Sequence, residues 1–394
     1  MTRGALFRRI FYVSIVVFCA ASFWFGVIPK HVTSTDMPIS YPDSLKRALT
    51  YTPPINASST VDVVRLLKYY YDLSNQKEIK ILIGQQLGHA NEGSAALTLA
   101  YASYFTDLEK QTGKLPAIMG MDYGWEQMPD DYSNVNKLLI EHWKQGGVVT
   151  ISMSPRNPFT GGGLRDLKIG NHQYDEIVTL GTEVNKRWEA DLDKVAVGLS
   201  QLQDAGVVVL WRPLHEMNGD FFWWSFGKTG RVTQNEYKKL WIYMFNYFTK
   251  EKKLNNLLWV YSPNAALWEN GVKDTDYYYP GTNYVDIVGM DYYEDGMIQF
   301  NNHGNYDKLI ALGKPFGLSE VGPQSRSGFD NLMVLNTLRA SYPQTIYEMY
   351  WTGWTNLGYL HTKRAIIEND NAKKLMNDTD IITLDKRVTE FGNR

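Results

Sequence analysis

Val207-Val208-Val209-Leu210-Trp211 is apolar at every position, and that lack of alternation limits the possible folds more than any other feature of the chain. A strand with one face in water alternates apolar and polar residues. One that is apolar throughout must be covered on both faces, as parallel strands under helices are. Runs of this kind give candidate strands at 79–84, 116–121, 147–152, 206–211, 257–261, 285–290, 315–319 and 346–351. Helical periodicity fills most of the gaps, at 94–111, 133–145, 187–204, 235–250, 305–312 and 329–340. In 187–204, Trp188, Leu192, Val195, Leu199 and Leu202 share one helical face. Segment 262–284 reads as loop. Buried strands alternating with helices predict an α/β fold, a single (β/α)8 TIM barrel, with an open doubly wound sheet as the alternative.

The barrel is expected over 61–394, after an N-terminal hydrophobic segment (1–29) and a linker (30–60) rich in Pro, Ser and Thr. Arg3, Arg8 and Arg9 precede an uncharged run from Ile10 to Ile28. As a helix rising about 1.5 Å per residue, that run spans a hydrocarbon core of about 30 Å. Cations in front of it hold that end in the cytoplasm and send the rest across. The exported part is then either anchored to the membrane by this helix or secreted after cleavage near Cys19-Ala20-Ala21-Ser22. The length of the run favours the anchor, since signal-peptide cores are shorter. Cys19 is the only cysteine, so the exported part has no disulfide and no thiolate site. A net charge of −2 gives no reason to expect a nucleic-acid partner.

Barrel active sites lie at the C-terminal ends of the strands, so the residues after each apolar run matter most. They include Gln85-Gln86, Asp122-Tyr123, Ser152-Met153-Ser154, Arg212 to Asn218, Asp291 to Glu294, Glu320-Val321-Gly322 and Trp351. Glu216 and Glu320 stand out, because strands four and seven face each other across such a barrel. Acetal hydrolysis needs one carboxyl to protonate the leaving oxygen and another to attack or stabilise the anomeric carbon. The plain alternative is that each glutamate caps a helix or pairs with an arginine. Tyr292 is expected to donate a hydrogen bond to Glu320, and Arg212 either does the same or forms an ion pair at the rim. His215 either contacts substrate and tunes Glu216 or is a structural histidine. The chain carries 12 Trp and 26 Tyr, enough for both a large aromatic core and sugar-stacking surfaces. Trp351 is a candidate floor, with Trp223, Trp224 and Trp354 as flanking subsites or core. Asp291, Glu294 and Asp295 read as loop charge, the histidines lack metal-ligand spacing, and no metal is expected. Gly161-Gly162-Gly163 lacks the Lys-Ser/Thr of a phosphate cradle.

The stretch Trp211–Gly219 (WRPLHEMNG), with Trp223-Trp224 close behind, resembles the acid/base signature of glycoside hydrolase family 26. Gly317–Gly322 (GLSEVG) resembles that family's nucleophile segment, and the likeness runs from about Ile79 to Trp354. The resemblance implies a retaining barrel hydrolase with Glu216 as acid/base and Glu320 as nucleophile. It places His215, Tyr292 and Trp351 around the sugar next to the cleaved bond. Arg212, Asn157, Trp223 and Trp224 complete the expected substrate-binding set, and no cofactor is implied. The implied partner is a β-linked polysaccharide, most often β-1,4-mannan, with mixed-linkage β-1,3-1,4-glucan or β-1,3-xylan as alternatives. One departure bears on that choice. The family's mannanases usually carry Ser-Trp-His after strand three, where this chain has Ser152-Met153-Ser154 and keeps Asn157-Pro158. A membrane-tethered carbohydrate-binding protein is the non-enzyme alternative, and a lectin has no use for paired acids.

Overall fold

Eight parallel strands close on themselves: β1 Ile81–His89, β2 Ile118–Glu126, β3 Val148–Pro155, β4 Val209–Pro213, β5 Leu257–Tyr261, β6 Ile287–Tyr293, β7 Phe316–Gly322 and β8 Thr345–Tyr350. The pairing of β8 with β1 closes the barrel and excludes the open sheet. A ninth short strand, β9 Ile381–Ile382, pairs with the start of β1. The computed structural model describes residues 48–225, 232–266, 273–324, 328–353 and 363–391. The hydrophobic segment 1–29, linker residues 30–47, Cys19 and Trp354 lie outside the described residues. Among the described residues no helix is long and apolar enough to cross a membrane.

Most strands continue past the end of their apolar run. β1 and β2 run five residues beyond the expected 84 and 121, to His89 and Glu126. Backbone pairing continues where the side chains turn polar, because those side chains line the mouth of the barrel. Hydrophobicity therefore marks the strand centres, and the functional ends fall outside it.

The helices are α1 Val61–Asn75, α2 Ser94–Tyr101, α3 Asp107–Thr112, α4 Ser133–Lys144, α5 Glu183–Asp204, α6 Gln234–Asn246, α7 Asn305–Ile310, α8 Asn331–Ser341, α9 Ala372–Met376 and α10 Leu384–Phe391. α2 and α3 are joined by a π-helical turn over Ala102–Thr106, so the expected helix at 94–111 is one bulged unit. Between β5 and β6 the described residues hold only a short 3-10 turn, Thr282–Tyr284. α1 was not foreseen as a helix. Thr60 caps it, and Val63, Leu66, Leu67, Tyr70 and Tyr71 are buried along it. The end of the expected linker is bound to the barrel rather than free. Leu49 and Asn75 exchange two hydrogen bonds of 2.8 and 2.9 Å, and the Ile55 amide donates to Asp286 at 2.9 Å.

Inside the barrel, Gly317 makes room for Tyr347, since a β-carbon there would lie 2.3 Å from the ring. Tyr347 thus faces inward, and strand alternation turns its neighbour Glu348 outward into the layer between strands and helices. Glu348 is fully buried, and neither carboxyl oxygen has a hydrogen-bond partner. Burial pushes its pKa up to about 8, against about 4.3 in an unfolded chain. A raised acid contributes its full share of stability below the unfolded value and loses it as pH rises toward the folded value. Glu348→Met, similar in volume and uncharged, is expected to stabilise the fold at pH 8 by a few kcal/mol, roughly. The gain should shrink toward pH 4.5. Urea unfolding at the two pH values reads this directly, and an equal difference at both would show that the carboxyl is not desolvated.

Candidate active site

Arg212 on β4 organises one half of the barrel mouth. It is buried, with Nη1 donating to Asp291 on β6 at 2.9 Å and Nη2 donating to Glu320 Oε1 on β7. Burial acts to lower the pKa of its guanidinium, but the two carboxylates outweigh it and hold the group charged. Ser262 Oγ donates to Asp291 at 2.8 Å, and Tyr293 Oη donates to Glu320 Oε2 at 2.6 Å. Both oxygens of Glu320 are therefore held by donors. His215 Nε2 lies 3.8 Å from Glu320 Oε1, and burial and Arg212 push its pKa down to about 4, so the imidazole is neutral at neutral pH.

Glu216 sits on a strained turn beyond β4. Leu214 and Glu216 have φ of +49° and +54°, a region that side chains other than glycine rarely occupy. The surroundings fix that turn. The Glu216 amide donates to Ser262 O at 2.9 Å, and Trp224 Nε1 donates to His215 O at 2.9 Å. Asn218 Nδ2 donates to Asn264 O at 2.7 Å and Lys273 O at 2.8 Å, and its Oδ1 accepts from the Asn264 amide at 2.8 Å. Asn264 in turn donates from Nδ2 to Glu216 Oε1 at 2.8 Å. Burial, and then the charge of Glu320, push the Glu216 carboxyl up to about 8. The site thus sets one carboxyl raised by burial beside another held by an arginine and a tyrosine, unlike environments of the kind that separate an acid from a nucleophile.

A second cluster lies across the mouth on β1 to β3. Asp122 Oδ2 accepts from Ser152 Oγ at 2.8 Å and Ser154 Oγ at 2.9 Å, and Oδ1 accepts from the Gly124 amide at 2.9 Å. His89 Nδ1 lies 3.6 Å from Oδ1. The imidazole sits 5.0 Å from the Trp125 ring and 5.9 Å from that of Trp351.

The structure brings Glu216, Glu320, Arg212 and His215 together, and sets Trp351 at the end of β8. Four expectations change. Tyr292 does not bond Glu320: its hydroxyl donates to Gly296 O at 2.9 Å, and Tyr293 makes the contact instead. Side chains two apart on a strand share a face, so with Asp291 turned inward, Tyr293 faces in and Tyr292 out. Trp223 and Trp224 are buried and wall no subsite. Trp223 Nε1 donates to Pro155 O at 2.9 Å, while Trp224 steadies the turn that carries Glu216. Asn157 is also buried, and its amide donates to Asp166 O at 2.5 Å and Lys168 O at 2.7 Å, closing the loop after β3. Asp291 is not loop charge but the buried partner of Arg212.

The sequence gives no role to His89, Asn264 and Arg364, and marks Asp122 and Tyr293 only as strand-end residues. Arg364 lies 4.3 Å over the Tyr293 ring. The period-two rule applied to β6 would have found Tyr293, whereas Asn264 has no signal in the sequence because a loop places it. His215, Asp291 and Glu320 offer ligand atoms within 4.8 Å of one another. Arg212 donates to both of those carboxylates, so a guanidinium supplies the positive charge among them.

A parallel barrel whose mouth carries two carboxyl groups in unlike environments, backed by aromatic rings, is the frame of a glycoside hydrolase. The chain belongs to glycosyl hydrolase family 26, whose sequence profile matches residues 55–386, and the family is a retaining one. It is 37% identical over 308 residues to a mannan endo-1,4-β-mannosidase of Bacillus subtilis, a match covering 76% of this chain and 81% of that one. The solved structure of the mannanase man26 of Bacillus subtilis superposes with a TM-score of 0.73 at 33% identity, covering 85% of this chain and 96% of that one. The structure of GH26A from a Muricauda species gives a TM-score of 0.66 at 30% identity, covering 84% and 99%.

Proposed function

We propose that this protein is an endo-acting β-1,4-mannanase that works by double displacement, with Glu320 as nucleophile and Glu216 as acid/base. The observation that carries the roles is the contrast between the two glutamates. Arg212 and Tyr293 hold Glu320 aimed, and burial keeps Glu216 protonated. In the first step a Glu320 oxygen bonds to the anomeric carbon as the C–O bond to the leaving sugar breaks. Glu216 gives its proton to that departing oxygen. In the second step Glu216 takes a proton from water, the water oxygen bonds to the anomeric carbon, and the Glu320 ester bond breaks. His215, neutral and beside Glu320, can serve the sugar as a donor or acceptor without competing for charge. Mannan as substrate is supported by the names of the relatives.

A second reading, a mixed-linkage β-glucan as substrate, is favoured by Ser154. Its small side chain, engaged with Asp122, stands where the family's mannanases usually carry a histidine ring. The residues before the barrel are assigned to export, with 1–29 as a membrane anchor; a processed N-terminus on the mature protein would overturn the anchor. The decisive experiment is reducing-sugar release from β-mannan, mixed-linkage β-glucan and β-1,3-xylan. Release from mannan is the expected result, release from glucan alone moves the assignment to the second reading, and inactivity of a folded protein on all three defeats both.

A further inference from the structure

We propose that His89, set by Asp122 and flanked by Trp125 and Trp351, binds a hydroxyl of the neutral sugar unit next to the cleaved residue on its glycone side, and so helps set specificity. The inference rests on the glycosidase reading above and adds a residue to it. His89 ends β1 at a point where the register against β2 shifts, and Gly88 before it has φ of +112°. That irregularity turns the ring toward the mouth. The side chain is 15% exposed.

The fold itself does not need an imidazole here. Asp122 already receives Ser152, Ser154 and the Gly124 amide. His89 Nδ1 stops 3.6 Å short of that carboxylate and makes no hydrogen bond. A histidine kept for structure would close that gap. Instead Nδ1 faces the Asp122 carboxylate, which orients the ring electrostatically, so the hydroxyl is assigned to Nε2. Burial acts to lower the pKa of His89, but Asp122 outweighs it and holds the imidazole above its usual value, which favours a donor.

The neighbours suit a sugar. Asn91 and Trp125 exchange two hydrogen bonds, Nδ2 to Trp125 O at 2.9 Å and the Trp125 amide to Asn91 Oδ1 at 3.3 Å. This clamp holds the β2 end beside His89. The Trp125 and Trp351 rings beside His89 add apolar surface to a polar edge, the pairing that pyranose recognition needs. Position in the barrel gives the direction. Glu216 on the β4 side protonates the departing oxygen, so the leaving sugar lies toward β4. Strands β8 and β1 lie on the far side of the barrel from β4, on the side of the sugars that stay with Glu320 on β7.

The test is the chain-length dependence of hydrolysis, using β-1,4-manno-oligosaccharides of increasing length beside an aryl β-mannoside that fills only the site of cleavage. His89→Ala is expected to lose about tenfold in kcat/KM on the longer substrates, the worth of one well-placed hydrogen bond. The loss should fall mainly in KM, and the aryl mannoside should be spared. His89→Gln, which keeps a donor and an acceptor, should recover part of it. Equal kinetics for wild type and His89→Ala at every length would overturn the proposal. So would an equal loss at every length, which would mean that the imidazole only supports Trp351. If His89→Ala fails to fold, His89→Gln carries the comparison, and an unchanged length profile there counts against the proposal. A wild type inert on mannan defeats the functional reading alone. Calorimetric binding of the longest oligosaccharide to Glu320→Ala, with and without His89→Gln, would still read the contact, with weaker binding expected in the double variant and equal binding overturning it.

Discussion

Glu320→Ala should bind polysaccharide and turn over none of it, with kcat down by at least about 10⁴-fold. The loss is large because the side chain is asked to form the covalent bond of the first step, and no neighbour can replace it. Asp291 is held by Arg212 and Ser262, while His215 is neutral. Removing Glu320 also leaves one side of the buried Arg212 without its carboxylate, and breaking such a pair costs about 3–5 kcal/mol. Melting must therefore be measured beside kinetics. Glu320→Gln is the better-folded control, because the amide oxygen can still accept from Arg212 and the amide NH2 can donate to the Tyr293 hydroxyl oxygen, while the charge needed to attack is gone. Substantial hydrolysis by a folded Glu320→Gln would remove Glu320 from the role.

Glu216→Ala should separate substrates by leaving group. Loss of a general acid costs about 10²–10⁴-fold where the departing oxygen needs a proton. A sugar alkoxide needs one and an activated phenolate does not, so mannan hydrolysis should collapse while cleavage of a dinitrophenyl β-mannoside starts normally. The pH profile supplies an independent reading. Glu216 must be protonated to donate, and its pKa is held up to about 8. Hence kcat/KM on mannan should fall as pH rises through about 8, and that limb should vanish in Glu216→Ala assayed on the aryl glycoside. An alkaline limb unchanged by the substitution would assign the titration to another group.

Much of this site is visible in nine consecutive letters. Trp211 to Gly219 contains Arg212, which holds Glu320, His215 beside that carboxylate, Glu216 itself, and Asn218, which ties down the neighbouring loop. Their placement can be read because they follow a buried strand, where a charged side chain has to face the mouth. Tyr293 is a different case: its adjacent twin Tyr292 has the same chemistry, and only the inward turn of Asp291 says which of the two meets Glu320. Trp223 and Trp224 show the opposite failure, because an aromatic pair close behind Glu216 reads equally well as a sugar wall or as packing.

Local pattern was enough for the strand centres, the closed barrel and the two glutamates, since burial on both faces and the strand-end position are properties of short segments. Contacts between segments far apart in the chain settled the rest. Asn264 reaches Glu216 across 48 residues, Arg212 reaches Glu320 across 108, and His89 meets Asp122 and Trp351 only because β1 lies between β2 and β8. No periodicity encodes such pairs. They exist because closing the barrel brings all the strand ends into one small ring, where the depth of burial and the nearest charge give each carboxyl its protonation state.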